Sequence, residues 1–317
     1  MIDINQAISG LSWNREPYGL YAPIAYALEG GGKRLRPTLA MIACRMYDGD
    51  EEKALPVALA LEIFHNFTLL HDDVMDQAPV RRGRPTVHVR WDDNTAILSG
   101  DQMMTEAYIQ LEQVDATLLP RVLHLFNKMA TDIWCGQQLD MEFEKREEVS
   151  IDEYLEMIRC KTSVLLGTAL QLGGLIAGAP EKDLEMLYHI GENIGLAFQI
   201  QDDVLDVWGD EKTFGKRIGG DIVQNKKSLV QILALCHANE EQLRELQAWI
   251  HRTRFLEEEK IREVTRLYDA IQIRPLCEQR EAEYTDAAIR DIRSLSVPAE
   301  KQEELLQIAQ KLLNRKN

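Results

Sequence analysis

The sequence predicts an all-α protein, a single large bundle of long helices. Three observations carry that expectation. Apolar residues recur at helical spacing along nearly the whole chain, and no segment shows sustained alternation of period two. Proline is sparse, 10 in 317 residues, while Ala, Leu, Glu and Gln abound. Hydrophobic residues make up 45 % and charged residues 28 %, so the chain can bury a large core without disulfide staples.

Helices are expected near 18–28, 38–47, 53–76, 92–112, 116–143, 151–178, 182–207, 226–237, 240–250, 256–270, 276–293 and 298–314. Pro37 suits a first helical turn, where its missing N–H costs nothing. Ser150 and Glu153 have capping-box spacing ahead of an apolar run. Thr162 to Pro180 carries no charged residue, but it contains Gln171, Thr168 and four glycines. It reads as a helix buried in a bundle rather than a membrane span. No low-complexity linker divides the chain, so residues 1–317 are expected to form one domain.

The net charge is −16, which disfavours nonspecific nucleic-acid binding and makes any basic cluster a local device. The five cysteines are scattered and form no C-x-x-C pair, as expected in a reducing, cytoplasmic setting. No signal peptide is visible in the first residues.

Three segments interrupt the helical pattern: Gly30–Pro37, Gln77–Arg90 and Gly209–Asn225. All are basic or glycine-rich. Beside them lie two matching acidic clusters, Asp72-Asp73-x-x-Asp76 and Asp202-Asp203-x-x-Asp206, each at the end of an apolar helix. Positions i and i+4 share a helix face, so Asp72 and Asp76 project together. Like charges so placed repel unless a cation lies between them. Carboxylates without His or Cys favour a hard ion such as Mg²⁺, which takes its remaining ligands from water and substrate phosphates. Lys33, Arg36, Arg81, Arg82, Lys216, Lys226 and Lys227 are suited to phosphate oxygens. Acidic clusters and cationic loops together imply a metal–diphosphate site. The G-x-x-x-x-G-K-[ST] spacing of a nucleotide-binding loop is missing from Gly30–Lys33.

With Gly31-Gly32-Lys33-Arg34-Leu35-Arg36-Pro37, the two acidic clusters, Arg81-Arg82-Gly83-Arg84-Pro85-Thr86, Lys161-Thr162, Phe198-Gln199-Ile200-Gln201 and Gly215-Lys216 through Asn225-Lys226 occurring in this order, the sequence resembles the trans-isoprenyl diphosphate synthases. The resemblance runs from about Gly30 to Lys227. It implies an isoprenoid synthase-like fold around a central cavity. It also implies head-to-tail condensation of isopentenyl diphosphate with an allylic diphosphate (dimethylallyl, geranyl or farnesyl) by ionisation, condensation and proton loss. Asp72, Asp76 and Asp202 would bind three Mg²⁺, with Asp73 in support. Arg81, Lys161, Thr162, Gln199, Lys216 and Lys226 would hold the allylic diphosphate. Lys33, Arg36, His65 and Arg82 would hold isopentenyl diphosphate, and the protein would be a homodimer. Phe67 and Thr68, just ahead of Asp72, would set product length, with the geranylgeranyl product expected and farnesyl the alternative. A longer-chain synthase or a class I terpene cyclase is the remoter reading. A cyclase, though, would not need the second diphosphate pocket that Lys33, Arg36 and Arg82 supply.

Overall fold

The structure, a computed structural model, describes residues 2–210 and 218–313. Its elements are α1 Ile4–Ser9, α2 Tyr18–Glu29, α3 Leu35–Met46, α4 Glu51–Met75, the strands β1 Val80–Arg81 and β2 Arg84–Pro85, α5 Val87–Arg90, α6 Asp93–Leu111, α7 Leu119–Glu144 and α8 Ile151–Ile158. A π-helical turn, Arg159–Ser163, leads into α9 Val164–Ile176, α10 Glu181–Trp208, α11 Gly220–Gln224, α12 Leu229–His237, α13 Glu240–Ile250, α14 Glu257–Ile271, α15 Ile273–Ser294 and α16 Ala299–Leu313. The all-α expectation holds.

Four local features depart from the sequence reading. The helix expected over 151–178 is broken by the π-helical turn. The basic stretch after Asp76 contains a two-residue antiparallel ladder pairing Val80 with Pro85 and Arg81 with Arg84. Its turn residues, Arg82 and Gly83, both lie at positive φ, the hairpin geometry that matches strand twist. The short helices α1 and α5 lie outside the expected set, and α11 stands within a stretch expected to be a loop.

Backbone contacts group the chain into two compact units, each assembled from separate stretches. The first comprises Met1–Asn127, Thr168–Tyr188 and Leu295–Leu305. The second comprises Lys128–Gly167, His189–Ser294 and Leu306–Asn317.

In the first unit α4 packs against α3 and α6. Asp50 caps its start, accepting from Glu52 N at 3.1 Å. Ala54, Val57, Ala58, Ala60, Leu61, Ile63 and Phe64 are buried along it. The Phe64 ring meets Phe67 edge-on at 5.7 Å and Phe126 at 5.2 Å. By length and composition α4 is apolar enough to cross a membrane, but 72 % of its most apolar window is buried within the protein. The uncharged α9 is likewise mostly buried.

The basic loop before α3 is fastened to α4 by a buried ion pair. Arg34, in the left-handed region at φ 46°, donates to Glu62 Oε1 at 2.6 Å and to Leu28 O at 2.5 Å. Asn66 adds a bond to Glu62 Oε1 at 3.0 Å.

The second unit buries Tyr154, Met157, Ile158, Ile200, Val204, Leu229 and Leu233 together with residues of α13, α14 and α15. The predicted capping box forms: Ser150 Oγ accepts from Glu153 N at 3.2 Å, and Glu153 Oε2 accepts from Ser150 N at 2.9 Å. Gly136 of α7 lies directly against the π-helical turn, where a Cβ would come within 2.3 Å of Lys161 N. Any side chain at 136 would push that turn away.

The Arg34–Glu62 pair generates the first test. Glu62→Ala strands a buried guanidinium and is expected to cost about 3–5 kcal/mol. Replacing both partners, Arg34→Met with Glu62→Leu, is expected to cost clearly less, as read from urea denaturation. A double variant as unstable as the single one would refute the pairing.

Candidate active site

Each unit carries one acidic cluster with its own set of cations. In the first unit the cluster ends α4. Asp72 is half-buried, Asp73 is buried and Asp76, the C-cap residue, is exposed. Arg81 donates from Nε to Asp73 Oδ1 at 2.8 Å, so the hairpin is held to the cluster. Burial raises the Asp73 pKa, and Arg81 opposes the rise. The turn delivers Arg82 to the glycine loop, where its guanidinium donates to Gly31 O.

Arg36, His65 and Arg82, three of the four residues expected to bind isopentenyl diphosphate, form one electrostatic group. Burial pushes the His65 pKa well below its usual value, and Arg36, Arg82, Arg81 and Arg34 push it further. His65 is therefore neutral at pH 7. Burial, with a contribution from Arg82 and against Glu62, lowers Arg36 to about 10, which still leaves it a cation. Among the described residues Arg36 Nε is buried with no hydrogen-bond partner, as is Nε of the neighbouring Arg34. Lys33, the fourth residue, is exposed on the loop.

In the second unit α10 carries the other cluster, and here the three aspartates differ. Asp203 accepts from Tyr154 Oη at 2.6 Å and from Leu229 N at 2.9 Å. Asp206 accepts from Asp221 N at 3.0 Å. Both belong to the protein's internal hydrogen bonding, and burial together with Asp221 raises their pKa values. Asp202 remains half-buried on the same helix.

Lys161 and Thr162 sit on the π-helical turn, a feature common at functional sites. Lys161 Nζ lies 2.5 Å from Asp140 Oδ2. Thr162 Oγ1 reaches Gln199 Oε1 at 3.5 Å, and Gln199 Nε2 reaches Asp203 Oδ1 at 3.4 Å. Burial disfavours the Lys226 charge, but Asp221, Asp203, Asp140 and Asp202 outweigh it and hold its pKa above the lysine range. Lys216 lies outside the described residues.

The sequence reading singled out none of Glu62, Tyr154, Asp140 or Asp221. Glu62 had a signal, a lone acid within the apolar run Ala58–Phe64. The others are ordinary polar positions whose partners are distant in sequence.

Among the described residues no group of three or more His, Cys, Asp or Glu converges to hold a metal unaided. The acids of the clusters that are not fully buried, Asp72, Asp76 and Asp202, offer carboxylate oxygens without nitrogen or sulfur. An incomplete, all-oxygen set fits Mg²⁺, which draws further ligands from phosphate and water.

Comparison with known proteins agrees with this arrangement. The polyprenyl synthetase family matches residues 17–268. The geranylgeranyl diphosphate synthase of Methanosarcina mazei is 40 % identical over 233 residues, 73 % of this chain and 72 % of that protein. The geranylgeranyl pyrophosphate synthase of Geoglobus acetivorans is 37 % identical over 91 % of this chain and 89 % of its own. A crystal structure of a geranylgeranyl pyrophosphate synthase superposes with a TM-score of 0.93 at 39 % identity, covering 100 % of both chains. The chain belongs to the polyprenyl synthetase family. It is a prenyltransferase with the all-α isoprenoid synthase fold.

The neutral His65 makes a pH test. Folding disfavours its proton, so below the unfolded pKa of about 6.5 the unfolded chain binds more protons than the folded one. The stability it contributes is complete above that value and is lost as pH falls, at up to about 1.4 kcal/mol per pH unit. His65→Gln is expected to flatten the loss between pH 7.5 and 5.5 in urea denaturation. An unchanged slope would show that His65 titrates normally.

Proposed function

We propose that the protein is a short-chain trans-isoprenyl diphosphate synthase with geranylgeranyl diphosphate as its main product. The observation that carries the reading is the grouping of Arg36 and Arg82 around a neutral His65, with a buried guanidinium nitrogen lacking a partner. Such a group suits a diphosphate that binds without metal. It is what a synthase needs and a terpene cyclase does not.

In this reading Lys33, Arg36, His65 and Arg82 hold isopentenyl diphosphate. Arg81, Lys161, Thr162, Gln199, Lys216 and Lys226 hold the allylic diphosphate. Asp72, Asp76 and Asp202, supported by Asp73, are the ligands for three Mg²⁺, which when bound neutralise the departing diphosphate. The cations around the allylic diphosphate stabilise its negative charge as the C–O bond breaks. The resulting allylic cation is attacked by the double bond of isopentenyl diphosphate. The proton then leaves to the released diphosphate, so no dedicated protein base is required.

Product length is assigned to Phe67 and Thr68. Phe67 is buried, with its ring edge-on to His71 at 4.8 Å, and so is fixed in place. Thr68 is small and donates to His65 O at 2.8 Å. One bulky and one small residue ahead of Asp72 suit a twenty-carbon chain, with fifteen carbons the alternative. The protein is read as a cytoplasmic homodimer. Leu98 and Ile109 on α6, and Trp134 and Met141 seven residues apart on α7, are exposed apolar side chains of the kind a second copy would cover.

Incubation with isopentenyl diphosphate and each allylic starter, followed by chromatography, tests the reading. The expected main product has twenty carbons. Asp72→Ala and Asp202→Ala are each expected to lower turnover by about three orders of magnitude with helical content intact. Phe67→Ala should lengthen the product by one or more isoprene units and Thr68→Phe should shorten it. Failure to consume isopentenyl diphosphate would overturn the assignment. Unchanged products in both variants would move the length-setting residues elsewhere.

A further inference from the structure

Lys260 is a lysine that the chemistry above does not use. It lies in the first turns of α14, only 1 % exposed. Its ammonium group has no carboxylate partner among the described residues. Instead it donates to Asn225 Oδ1 at 2.6 Å and to Val223 O at 3.2 Å, and it sits 4.4 Å from the centre of the Phe255 ring. Burial pulls its pKa below the ordinary lysine range. A buried ammonium held by uncharged oxygens is costly. Methionine would fill similar space without that cost, so the ammonium's use must lie in the atoms it holds.

Those atoms end α11. Val223 supplies one of the carbonyls left unpaired at a helix C-terminus. Asn225 is the C-cap residue, in the left-handed region at φ 55° and ψ 36°. Its side chain is held from two sides, by Lys260 at Oδ1 and through Nδ2 donating to Ile250 O at 3.1 Å. Lys226 follows immediately. Its own N–H donates to Asp221 O at 2.9 Å, and its side chain faces the field of Asp221, Asp203, Asp140 and Asp202. The direction in which Lys226 leaves the backbone is therefore set by the turn at Asn225.

We propose that Lys260 is a positioning residue for the allylic diphosphate clamp: it ties the end of α11 to α14 and fixes the turn from which Lys226 projects. This rests on the reading of Lys226 as a diphosphate ligand. Lys260 touches neither substrate nor reacting atoms. Its effect reaches the chemistry only through the placement of Lys226.

The test compares steady-state kinetics and thermal stability of the full-length enzyme in three single variants and the double variant Lys260→Met with Asn225→Gly. Lys226→Ala removes the clamp itself. Lys260→Met removes the ammonium at similar volume. Asn225→Gly keeps the left-handed turn accessible but removes the side chain that Lys260 holds. Lys260→Met and Asn225→Gly are each expected to raise KM for the allylic diphosphate by about tenfold while KM for isopentenyl diphosphate stays within twofold. In the double variant the effects should not multiply, because one tether is being removed twice. If Lys260→Met does not fold, Asn225→Gly carries the test.

Three results overturn the inference. If Lys226→Ala raises the allylic KM but the folded tether variants do not, the inference fails and the reading of Lys226 stands. If Lys226→Ala leaves that KM unchanged, the assignment of Lys226 fails and the inference with it. If the tether variants raise both KM values equally, in step with lost stability, Lys260 has only a structural role.

Discussion

The ion pair between Arg34 and Glu62 is the interaction on which the cationic group of the first unit depends. Arg34, Arg36, Arg81 and Arg82 all bear on one histidine, and four like charges so gathered repel one another. Helix α4 supplies the answer from one face. Glu62, Asn66 and Asp73 fall at spacings of four and seven, so they line one stripe. Glu62 neutralises Arg34, Asn66 steadies Glu62, and Asp73 takes Arg81. Two guanidinium groups are thus paired by the protein. Among the described residues, Nε of both Arg34 and Arg36 is buried without a partner, but Arg36 makes no ion pair, and Arg82 donates to a carbonyl. The same helix then presents Asp72 and Asp76 from its last turn, so one rigid element fixes both the cation group and the acids.

The second unit meets the opposite constraint, an excess of acid. Asp140, Asp202, Asp203, Asp206 and Asp221 all lie in it. Hydrogen-bond donors and two lysines, Lys161 and Lys226, rather than arginines, accommodate this charge. Tyr154 and a backbone N–H hold Asp203, another N–H holds Asp206, and Lys161 meets Asp140. The division of labour within the cluster follows. Asp203 and Asp206 build the frame around which α11 and α12 begin. Asp202, on the same helix, is less buried than either and is the member of the cluster proposed above as a metal ligand.

Much of this was legible in the sequence, and the limits have physical causes. Helices announce themselves through apolar spacing and caps, as Ser150 and Glu153 illustrate, because those signals are local. The π-helical turn at Arg159–Ser163 does not, since the helix that follows it is apolar on nearly every side and has no stripe whose change of phase would show. The neighbour that leaves it room, Gly136, lies on another helix. The two acidic clusters looked equivalent because their sequences match. They differ because their partners differ: Tyr154 and Leu229 on Asp203, and Asp221 on Asp206, all lie outside the local motif. The role of Lys260 was invisible for the same reason: on a charged, amphipathic helix a lysine reads as a surface residue, and only its burial shows otherwise.

A net charge of −16 and an anionic substrate are reconciled by the range over which charges act. At physiological ionic strength charges are screened beyond about 8 Å, so most surface carboxylates exert little force on a diphosphate near the site. Groups in direct contact, partly removed from water, are screened far less. Arg36 illustrates the consequence: burial lowers its pKa to about 10, yet it remains charged at neutral pH. Desolvation weakens the hold of water on that guanidinium without removing its charge, which leaves it a stronger partner for phosphate oxygens than a fully hydrated surface arginine. The acidic surface and the cationic site therefore act on different length scales, and the short one governs recognition.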